Sequence, residues 1–225
     1  MKHSNYALMK RAVDFACATA GLAALSPIFV LIAGAIKVSS PGPVLYRGVR
    51  VGQHGIPFRI FKFRTMVVDA ERLGGASTSS SDARVTPIGR FLRAYKLDEL
   101  PQLFNVLFGE MSLVGPRPEV QKYVDMYTEH ERQILDLRPG ITDWASIWNA
   151  DEGAVLAGAG DPDRAYEQLI RPTKLRLQLK YASECSLFVD LQILSATAAR
   201  LLCRDWMPAE LAPYGRLVPA SKEVE

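Results

Sequence analysis

Residues 90–118 read RFLRAYKLDELPQLFNVLFGEMSLVGPRP, and this stretch decides how the rest of the chain is interpreted. Two adjacent carboxylates, Asp98 and Glu99, lie between basic residues and a stiff Val-Gly-Pro-Arg-Pro corner. Pro101 suits the first turn of a helix, and Gly109 suits the position just past its end. Apolar residues recur between them at helical spacing. The stretch therefore predicts a short helix whose beginning carries two acidic side chains.

The two carboxylates admit an ordinary interpretation and a chemical one. Acidic residues are common in the first turn of a helix, because the positive end of the helix dipole stabilises their ionised form. The same end of a helix also attracts phosphate groups. For an isolated Asp-Glu pair the ordinary interpretation is the default, so the rest of the sequence must decide whether Asp98 and Glu99 take part in anion chemistry.

The composition indicates one domain and no nucleic-acid partner. The chain has 225 residues, enough for one domain with a sizeable core, and a formal net charge of +3. This charge is too small for a dedicated nucleic-acid-binding protein, and no zinc-finger, RRM or basic-zipper pattern is present. The three cysteines lack metal-ligand spacing and are expected to be free thiols in a reducing compartment. The three histidines are scattered, so a histidine metal site has no support.

An uncharged apolar run over residues 15–36 is long enough to span a bilayer, which takes about 20 residues. A cleaved signal peptide and a straight transmembrane anchor are two interpretations. Basic residues flank the run on both sides, so the positive-inside rule gives no orientation. Near the middle, Pro27 removes a backbone hydrogen bond and the hydroxyl of Ser26 can satisfy the freed carbonyl. We favour a re-entrant helix hairpin that bends at these two residues and returns to the same membrane face.

The predicted fold class is α+β, with a membrane-associated N-terminal re-entrant helix hairpin and a mainly helical cytoplasmic globular domain that includes a small β-hairpin. The hairpin strands are predicted on either side of a turn at residues 52–55. Residues 1–38 are assigned to the membrane helix and its basic flank, residues 39–203 to the globular domain with interfacial amphipathic helices, and residues 204–225 to a loosely held C-terminal tail.

Two longer helical patterns follow the organising stretch. One helix is expected over residues 119–137, because apolar residues lie along one face and charged residues along the other. A long amphipathic pattern covers residues 175–202. Such a pattern can pack on the core or lie on the membrane surface, and core packing is favoured.

Several short motifs in a fixed order carry a resemblance to a known family. The chain resembles the bacterial sugar transferase family, the monotopic phosphoglycosyl transferases, in its short form, over roughly residues 8–200. Each motif alone is weak, whereas the ordered set is highly specific. The motifs are Lys10-Arg11-x-x-Asp14 before the apolar helix broken by Ser26-Pro27, Pro41-Gly42-Pro43, Lys62-Phe63-Arg64-Thr65-Met66, Leu97-Asp98-Glu99-Leu100-Pro101-Gln102, Ser112-Leu113-Val114-Gly115-Pro116-Arg117-Pro118 and Arg138-Pro139-Gly140-Ile141-Thr142.

This resemblance implies a membrane enzyme at the cytoplasmic face of the bacterial inner membrane. It would move a phosphosugar from a UDP-sugar to a polyprenol phosphate, with undecaprenyl phosphate expected, and release UMP. It also implies Mg²⁺ as cofactor, membrane lipid as a further partner and a homodimer as an arrangement to consider. Carried onto this chain, Asp98 is the nucleophile that forms a phosphosugar intermediate, Glu99 is its partner, and both are candidate metal ligands. The candidates for binding substrate phosphate are Lys62, Arg64, Arg90, Arg117 and Arg138.

The proposed chemistry suits a carboxylate nucleophile, because both substrates are anions and a covalent intermediate divides the transfer into two steps. Adjacent side chains point different ways, so Asp98 would attack while Glu99 positions the metal or the incoming phosphate. Two alternatives stay open: a catalytically silent membrane-bound scaffold that binds nucleotide-sugar, and a phosphohydrolase that lets water replace the lipid. Many family members continue with Gly-x-Ala-Gln after Thr142, whereas residues 143–149 read DWASIWN, so the sugar is not predicted.

Overall fold

A computed structural model describes residues 2–73, 75, 77–80, 82–203 and 205–217. Helices predominate in these residues, and the strands pair two by two. The strands are β1 (Leu45–Tyr46), β2 (Val49–Val51), β3 (Pro57–Arg59), β4 (Lys62–Phe63), β5 (Ser112–Val114) and β6 (Gly140–Thr142). The helices are α1 (Lys2–Ser39), α2 (Pro87–Ala94), α3 (Gln102–Phe108), α4 (Gln121–Val124), α5 (Trp144–Trp148), α6 (Glu152–Val155), α7 (Pro162–Ala165), α8 (Arg171–Glu184) and α9 (Leu187–Leu202).

The first helix, α1, is continuous and includes Pro27. Its segment Asn5–Ser39 is long and apolar enough to cross a membrane, and most of that segment is exposed. Because a proline has no N–H, Pro27 leaves the carbonyl of Ala23 without its helical donor. The hydroxyl of Ser26 donates to that carbonyl at 2.8 Å. The hydrogen bond expected of the Ser-Pro pair is therefore confirmed, whereas a hairpin in a membrane stays a prediction.

Near its beginning, α1 is tied to the globular domain by polar contacts. The guanidinium of Arg11 donates to the carbonyls of Val106 and Leu107 at 2.6 and 2.8 Å. These carbonyls lie in the last turn of α3, where a cation is favourable. The buried carboxylate of Asp14 accepts from the backbone N–H of Leu113 at 3.0 Å. The start of α1 is thus fixed against α3 and β5.

The far end of α1 packs against the same domain through apolar side chains. Ile32 and Ile36 are buried in a cluster with Phe63 of β4 and Leu92 of α2. The ring of Phe29 lies 5.3 Å from that of Phe63, measured between centroids. Both ends of α1 therefore contact one folded unit.

The predicted β-hairpin is confirmed. Strands β2 and β3 are antiparallel, with Val49 opposite Arg59, and the turn between them is a 3₁₀ segment at Gln53–Gly55. His54 and Gly55 have φ of 58° and 76°, the left-handed conformation that such a turn requires. Strands β1 and β4 also pair antiparallel and extend the hairpin toward Lys62.

Strands β5 and β6 pair parallel and bring two distant motifs together. Ser112 is opposite Gly140, and Val114 is opposite Thr142. A Cβ on Gly140 would collide with the backbone of Gly115, and a Cβ on Gly115 would collide with the carbonyl of Arg138. Two glycines are needed here for the backbones to touch. This contact places the Val-Gly-Pro-Arg-Pro corner beside the residues that follow β6.

The single helix expected over residues 119–137 is wrong. The structure has the short helix α4 and a separate 3₁₀ segment, Glu131–Asp136. Before that segment the N–H of Thr128 donates to the Glu131 carboxylate at 2.7 Å, and the N–H of Glu131 donates to the Thr128 hydroxyl at 3.3 Å. This reciprocal pair is a capping box, which starts a new helical segment rather than continuing the old one.

The amphipathic pattern over residues 175–202 also divides in two, as α8 and α9. Ser186 is extended between them, and its hydroxyl caps α9 by accepting from the N–H of Val189 at 3.3 Å. The favoured packing of this region on the core is confirmed for the inner faces. Tyr181 of α8 and Ile193 of α9 are buried in the main core.

The main core is formed by α5, α8, α9 and the segment after α9. Trp144 and Trp148 of α5 are buried in it, and Leu211 closes one side. The indole N–H of Trp148 donates to the carbonyl of Gly215 at 2.9 Å. The described part of the predicted tail, residues 205–217, therefore packs on the core rather than being loosely held. Residues 204 and 218–225 lie outside the described part of the chain.

Candidate active site

The two carboxylates lie on a 3₁₀ segment, Leu97–Glu99, that leads into α3. Lys96 precedes it in the left-handed conformation, with φ 56°, and Leu100 and Pro101 continue the helical path to α3. The short helix predicted between Pro101 and Gly109 is confirmed, and Gly109 ends it with φ 85°. Because of the sharp turn before them, Asp98 is buried and Glu99 is largely buried.

Glu99 lies between two cations from distant parts of the chain. The ammonium of Lys62 in β4 donates to Oε1 of Glu99 at 2.9 Å. The guanidinium of Arg117 donates to both carboxylate oxygens, at 2.9 Å from Nη1 to Oε2 and by a second bond from Nη2 to Oε1. Nη1 of Arg117 also donates to the carbonyl of Ile141 at 3.2 Å. The structure therefore brings Lys62 and Arg117 to the predicted pair of carboxylates.

The environments of Asp98 and Glu99 push their pKa values apart. Burial raises the pKa of Asp98, and the neighbouring charge of Glu99 raises it further, against the opposing effect of Lys62. Burial alone would also raise the pKa of Glu99, but Arg117 and Lys62 hold that pKa well below its usual range. Pairs of carboxyl groups with separated pKa values often have separate chemical roles. Here Glu99 is the carboxylate that ionises more readily, and Asp98 is the more basic one.

A third cation near Asp98 is Arg93, which the sequence analysis did not select. Its Nε donates to the hydroxyl of Thr65 at 2.9 Å, and its Nη groups have no hydrogen-bond partner in the described part of the chain. Burial lowers the pKa of Arg93, whereas the negative charge of Asp98 raises it. Arg93 is four residues after the buried Gly89 and shares its inward face, whereas Arg90 is exposed. The sequence does not show which of these faces is buried, so it offered no signal for Arg93.

Three predicted phosphate-binding residues lie elsewhere. Arg64 is buried and donates to the carbonyls of Ser40 and Pro41, so it fixes the exit from α1. Arg90 is exposed on α2. Arg138 is half-buried; burial lowers the pKa of this residue, as does its charged neighbour Arg11. Contact of these three side chains with substrate phosphate stays a prediction, and their positions in the structure favour other roles for Arg64 and Arg138.

Asn105 determines where Lys62 is held. This fully buried side chain lies on α3, and its Oδ1 accepts from the N–H of Phe61 at 2.8 Å. Its Nδ2 donates to the carbonyl of Arg59 at 2.9 Å and to the carboxylate of Glu110 at 2.7 Å. The residues immediately before Lys62 are therefore attached to the helix that follows Glu99.

A comparison with models of protein families shows to which family this chain belongs. The family model described as bacterial sugar transferase matches residues 5–204. The chain belongs to the bacterial sugar transferase family. The resemblance inferred from the motifs is thus confirmed, and the matched region contains both carboxylates and all of the cations described above.

Curated relatives support the same membership. A bacterial sugar transferase relative from Aeromonas hydrophila, UDP-N-acetylgalactosamine-undecaprenyl-phosphate N-acetylgalactosaminephosphotransferase, is 36% identical over 204 residues, which are 88% of this chain and 44% of that protein. UDP-glucose:undecaprenyl-phosphate glucose-1-phosphate transferase of Escherichia coli (strain K12) is 37% identical over 199 residues, 84% of this chain and 39% of that protein. A protein of the same name from Caulobacter vibrioides is 38% identical over 201 residues, with coverage of 88% and 71%. The chain thus spans about two fifths of the length of the first two.

The site offers few side chains that could bind a metal ion. Within the described residues there is no group of three or more His, Cys, Asp or Glu side chains that could hold a metal ion. Mg²⁺ in proteins commonly takes only one or two carboxylates where substrate phosphates supply further oxygens. Both oxygens of Glu99 already accept hydrogen bonds from cations. The residues therefore fit a Mg²⁺ that binds together with a phosphorylated substrate, and Asp98 is the better-placed protein ligand.

Proposed function

We propose that this bacterial sugar transferase moves a phosphosugar from a UDP-sugar to a polyprenol phosphate and releases UMP. The names of the relatives support these substrate classes, since those proteins are named for UDP-sugars and undecaprenyl phosphate. One observation about the site carries the proposal. A buried carboxylate with a raised pKa, Asp98, lies beside a carboxylate that is clamped by two cations, Glu99.

In the first half of the reaction, a carboxylate oxygen of Asp98 forms a bond to the phosphorus next to the sugar. The bond between this phosphorus and the bridging oxygen breaks, and that oxygen leaves on UMP. The raised pKa of Asp98 favours this step, because a more basic carboxylate is a stronger nucleophile once it is ionised. In the second half, an oxygen of the polyprenol phosphate attacks the same phosphorus, and Asp98 leaves as a free carboxylate.

The surrounding cations would bind the phosphate oxygens. Arg117 and Lys62 are both bonded to Glu99, which orients them in a fixed geometry before substrate arrives. Arg93 faces Asp98 with its Nη groups not used by other described side chains, so it can receive the transferred phosphate. Guanidinium groups suit this role, because they bind phosphate oxygens in pairs.

The proposal includes Mg²⁺ as cofactor, held by Asp98 with oxygens of the substrate diphosphate, and with Glu99 as the second candidate ligand. When bound, this ion would neutralise charge on the phosphate oxygens. Asp98 would then both hold the ion and supply the nucleophilic oxygen. Glu99 acts chiefly on Lys62 and Arg117, because its oxygens are already occupied by them.

We also propose that α1 enters the membrane from the cytoplasmic face and returns to it. A straight helix of 38 residues is about 57 Å long at about 1.5 Å per residue, whereas the apolar bilayer core is about 30 Å thick. If α1 crossed the bilayer, a single folded domain could not contact both of its ends. The contacts of Asp14 near one end and Ile36 near the other therefore support the re-entrant arrangement.

The outer face of α9 supports a position at the membrane surface. Its large apolar side chains Phe188, Leu191 and Leu202 are mostly exposed. The inner face is attached to the beginning of α1, since Asp190 accepts from Lys10 at 2.7 Å. The exposed apolar face is thus held beside the membrane helix, where lipid can cover it.

The re-entrant arrangement of α1 can be tested with a single cysteine placed at Asn5, in a variant without the native cysteines. We expect it to react with an impermeant thiol reagent only from the cytoplasmic side; reaction only from the opposite side would refute the hairpin.

The covalent mechanism is tested by intact mass spectrometry of the detergent-solubilised protein with Mg²⁺ and a panel of UDP-sugars, without lipid. We expect a mass increase of one phosphosugar with one donor, no increase in Asp98→Asn, and transfer when polyprenol phosphate is added. Release of UMP over many turnovers without lipid would instead indicate a phosphohydrolase. Wild-type protein that forms no adduct and releases no UMP with any donor, with or without lipid, would refute the proposed activity and favour the silent scaffold.

A further inference from the structure

Asp143 lies at the point where the sequence departs from the family pattern, and it is fully buried. Its two carboxylate oxygens face different partners. Oδ1 caps α5, accepting from the N–H and the hydroxyl of Ser146, both at 2.6 Å. Oδ2 accepts from the backbone N–H of Arg117 at 3.1 Å and from Nε2 of Gln178 at 3.1 Å. Oδ1 of Asp143 therefore stabilises α5, and Oδ2 holds the backbone of Arg117.

The backbone of Arg117 is held from both sides. Its N–H donates to Asp143, and its carbonyl accepts from Nε2 of Gln178 at 3.3 Å. Pro116 and Pro118 have no N–H, so the amide of Arg117 is the sole backbone donor in this three-residue corner. With φ of both prolines restricted and this donor fixed, the direction of the Arg117 side chain is determined at its base.

A buried charge is costly, and capping alone does not require one. Serine, threonine and asparagine cap helices about as well as aspartate does. The second oxygen of Asp143 gives no further contact to α5; it contacts Arg117 and Gln178, which is also fully buried. The carboxylate is thus used where a second acceptor is needed, at the base of the arginine that binds Glu99.

We propose that Asp143 is a positioning residue for the phosphosugar transfer, and that it acts by fixing the backbone of Arg117 so that the guanidinium meets Glu99 and the substrate phosphate. Gln178 supports it from α8. This inference rests on the proposed function, because it assigns Asp143 a role in the geometry of the same site. Asp143 itself touches neither carboxylate of the pair.

The test uses Asp143→Ser with Ser146→Ala as its matched control. A serine at position 143 can still cap α5, but it is too short to reach the amide of Arg117. Ser146→Ala removes a hydrogen bond from the other oxygen of Asp143 and leaves the contact with Arg117 intact. Two quantities are measured on the full-length protein in detergent: hydrogen exchange of the Arg117 amide, and the rate of adduct formation as a function of UDP-sugar concentration.

In Asp143→Ser we expect exchange of the Arg117 amide to be faster than in wild type. The maximal rate of adduct formation should fall about tenfold to a hundredfold, since a displacement of about 1 Å can have that effect, and the half-saturating concentration should change less. Ser146→Ala should match wild type in both quantities. Wild-type exchange and rate in Asp143→Ser would overturn the proposal, as would an equal loss of rate in Ser146→Ala, because a change at Oδ1, away from Arg117, would then have the same effect.

If Asp143→Ser does not fold, Asp143→Asn takes its place, because its amide oxygen can still cap α5, whereas its amide nitrogen cannot accept from the N–H of Arg117. Faster exchange of the Arg117 amide and a reduced maximal rate support the proposal; an unchanged amide overturns it. If wild-type protein forms no adduct with any donor, the proposed function fails. The exchange measurement still shows in that case whether Asp143 fixes Arg117, so the two failures are distinguishable.

Discussion

Replacement of Arg117 by alanine removes the contact on which the site geometry most depends. The guanidinium makes two hydrogen bonds to Glu99 and one to the carbonyl of Ile141. After Arg117→Ala, Glu99 keeps only Lys62 as a charged hydrogen-bond partner among the described residues. The carboxylate would then attract Lys62 more strongly, and less positive charge would remain for substrate phosphate.

The cost in stability follows from the burial of the pair. Exposed ion pairs contribute about 0–1 kcal/mol, whereas breaking a buried pair costs about 3–5 kcal/mol. The side chains of Arg117 and Glu99 are 28% and 16% exposed, so water can replace part of what is lost. We therefore expect unfolding to become easier by about 2–3 kcal/mol, which lowers Tm by about 4–12 °C for a chain of this size. The loss of one charged donor should lower the rate of the transfer by about 10²–10³-fold.

The assay is adduct formation by intact mass at saturating UDP-sugar, with thermal unfolding of the same preparations. Arg138→Ala is the comparison, because its charged neighbours are Arg11 and Asp14 rather than Glu99, and we expect it to lose less activity. A rate in Arg117→Ala that falls less than about tenfold, together with the expected fall in Tm, would refute this reasoning. It would show that Arg117 only maintains the Pro116–Pro118 corner.

The pH dependence of adduct formation and of stability gives two further predictions. Asp98 attacks only when ionised, and its pKa is raised by burial and by Glu99, so the rate should fall with decreasing pH around a midpoint above the usual aspartate value of about 3.9. In Glu99→Gln this midpoint should move to lower pH; an unchanged midpoint would contradict the coupling of the two groups. The ionised Glu99 has a lowered pKa and therefore stabilises the fold above its unfolded pKa of about 4.3. That contribution is lost as pH falls through its folded pKa, so the Tm difference between wild type and Glu99→Gln should decrease there.

Local signals predicted the parts of the fold that depend on a few neighbouring residues. The turn at residues 52–55 and the ends of α3 follow from the conformations that glycine and proline favour. The hydrogen bond of Ser26 follows from the carbonyl that Pro27 leaves without a donor. In each case the cause and its effect lie within five residues, so no tertiary information was needed.

The incorrect helix over residues 119–137 shows the limit of periodicity. Apolar spacing predicted one helix, but the Thr128-x-x-Glu131 sequence is itself a start signal. Its capping geometry in the structure gives the backbone a local alternative to continuous helix. The sequence therefore contains the signal for this break, and at this point the local capping signal outweighs hydrophobic periodicity.

The selection of cations could not be made from the sequence. Lys62 and Arg117 are 37 and 18 residues from Glu99, and the strand pairings and the Gly115–Gly140 contact bring them to it. Arg64 lies in the same motif as Lys62 but donates to the end of α1. Two residues apart in one strand would share a face, but β4 ends at Phe63, so Arg64 no longer follows the alternation of the strand. Motif membership identified the region, and only the tertiary fold determined which side chain faces the carboxylates.

The charges around the pair explain why two adjacent carboxylates are useful at a site for anions. Lys62, Arg93 and Arg117 carry three positive charges, and ionised Asp98 and Glu99 carry two negative ones. The negative charge of Glu99 holds Lys62 and Arg117 in place. Asp98 is therefore less tightly paired with cations and is more basic. A site without Glu99 would attract phosphate more strongly, but its cations would pair with Asp98 and weaken the nucleophile. Separation of the two roles therefore lets one site bind a diphosphate and still attack it.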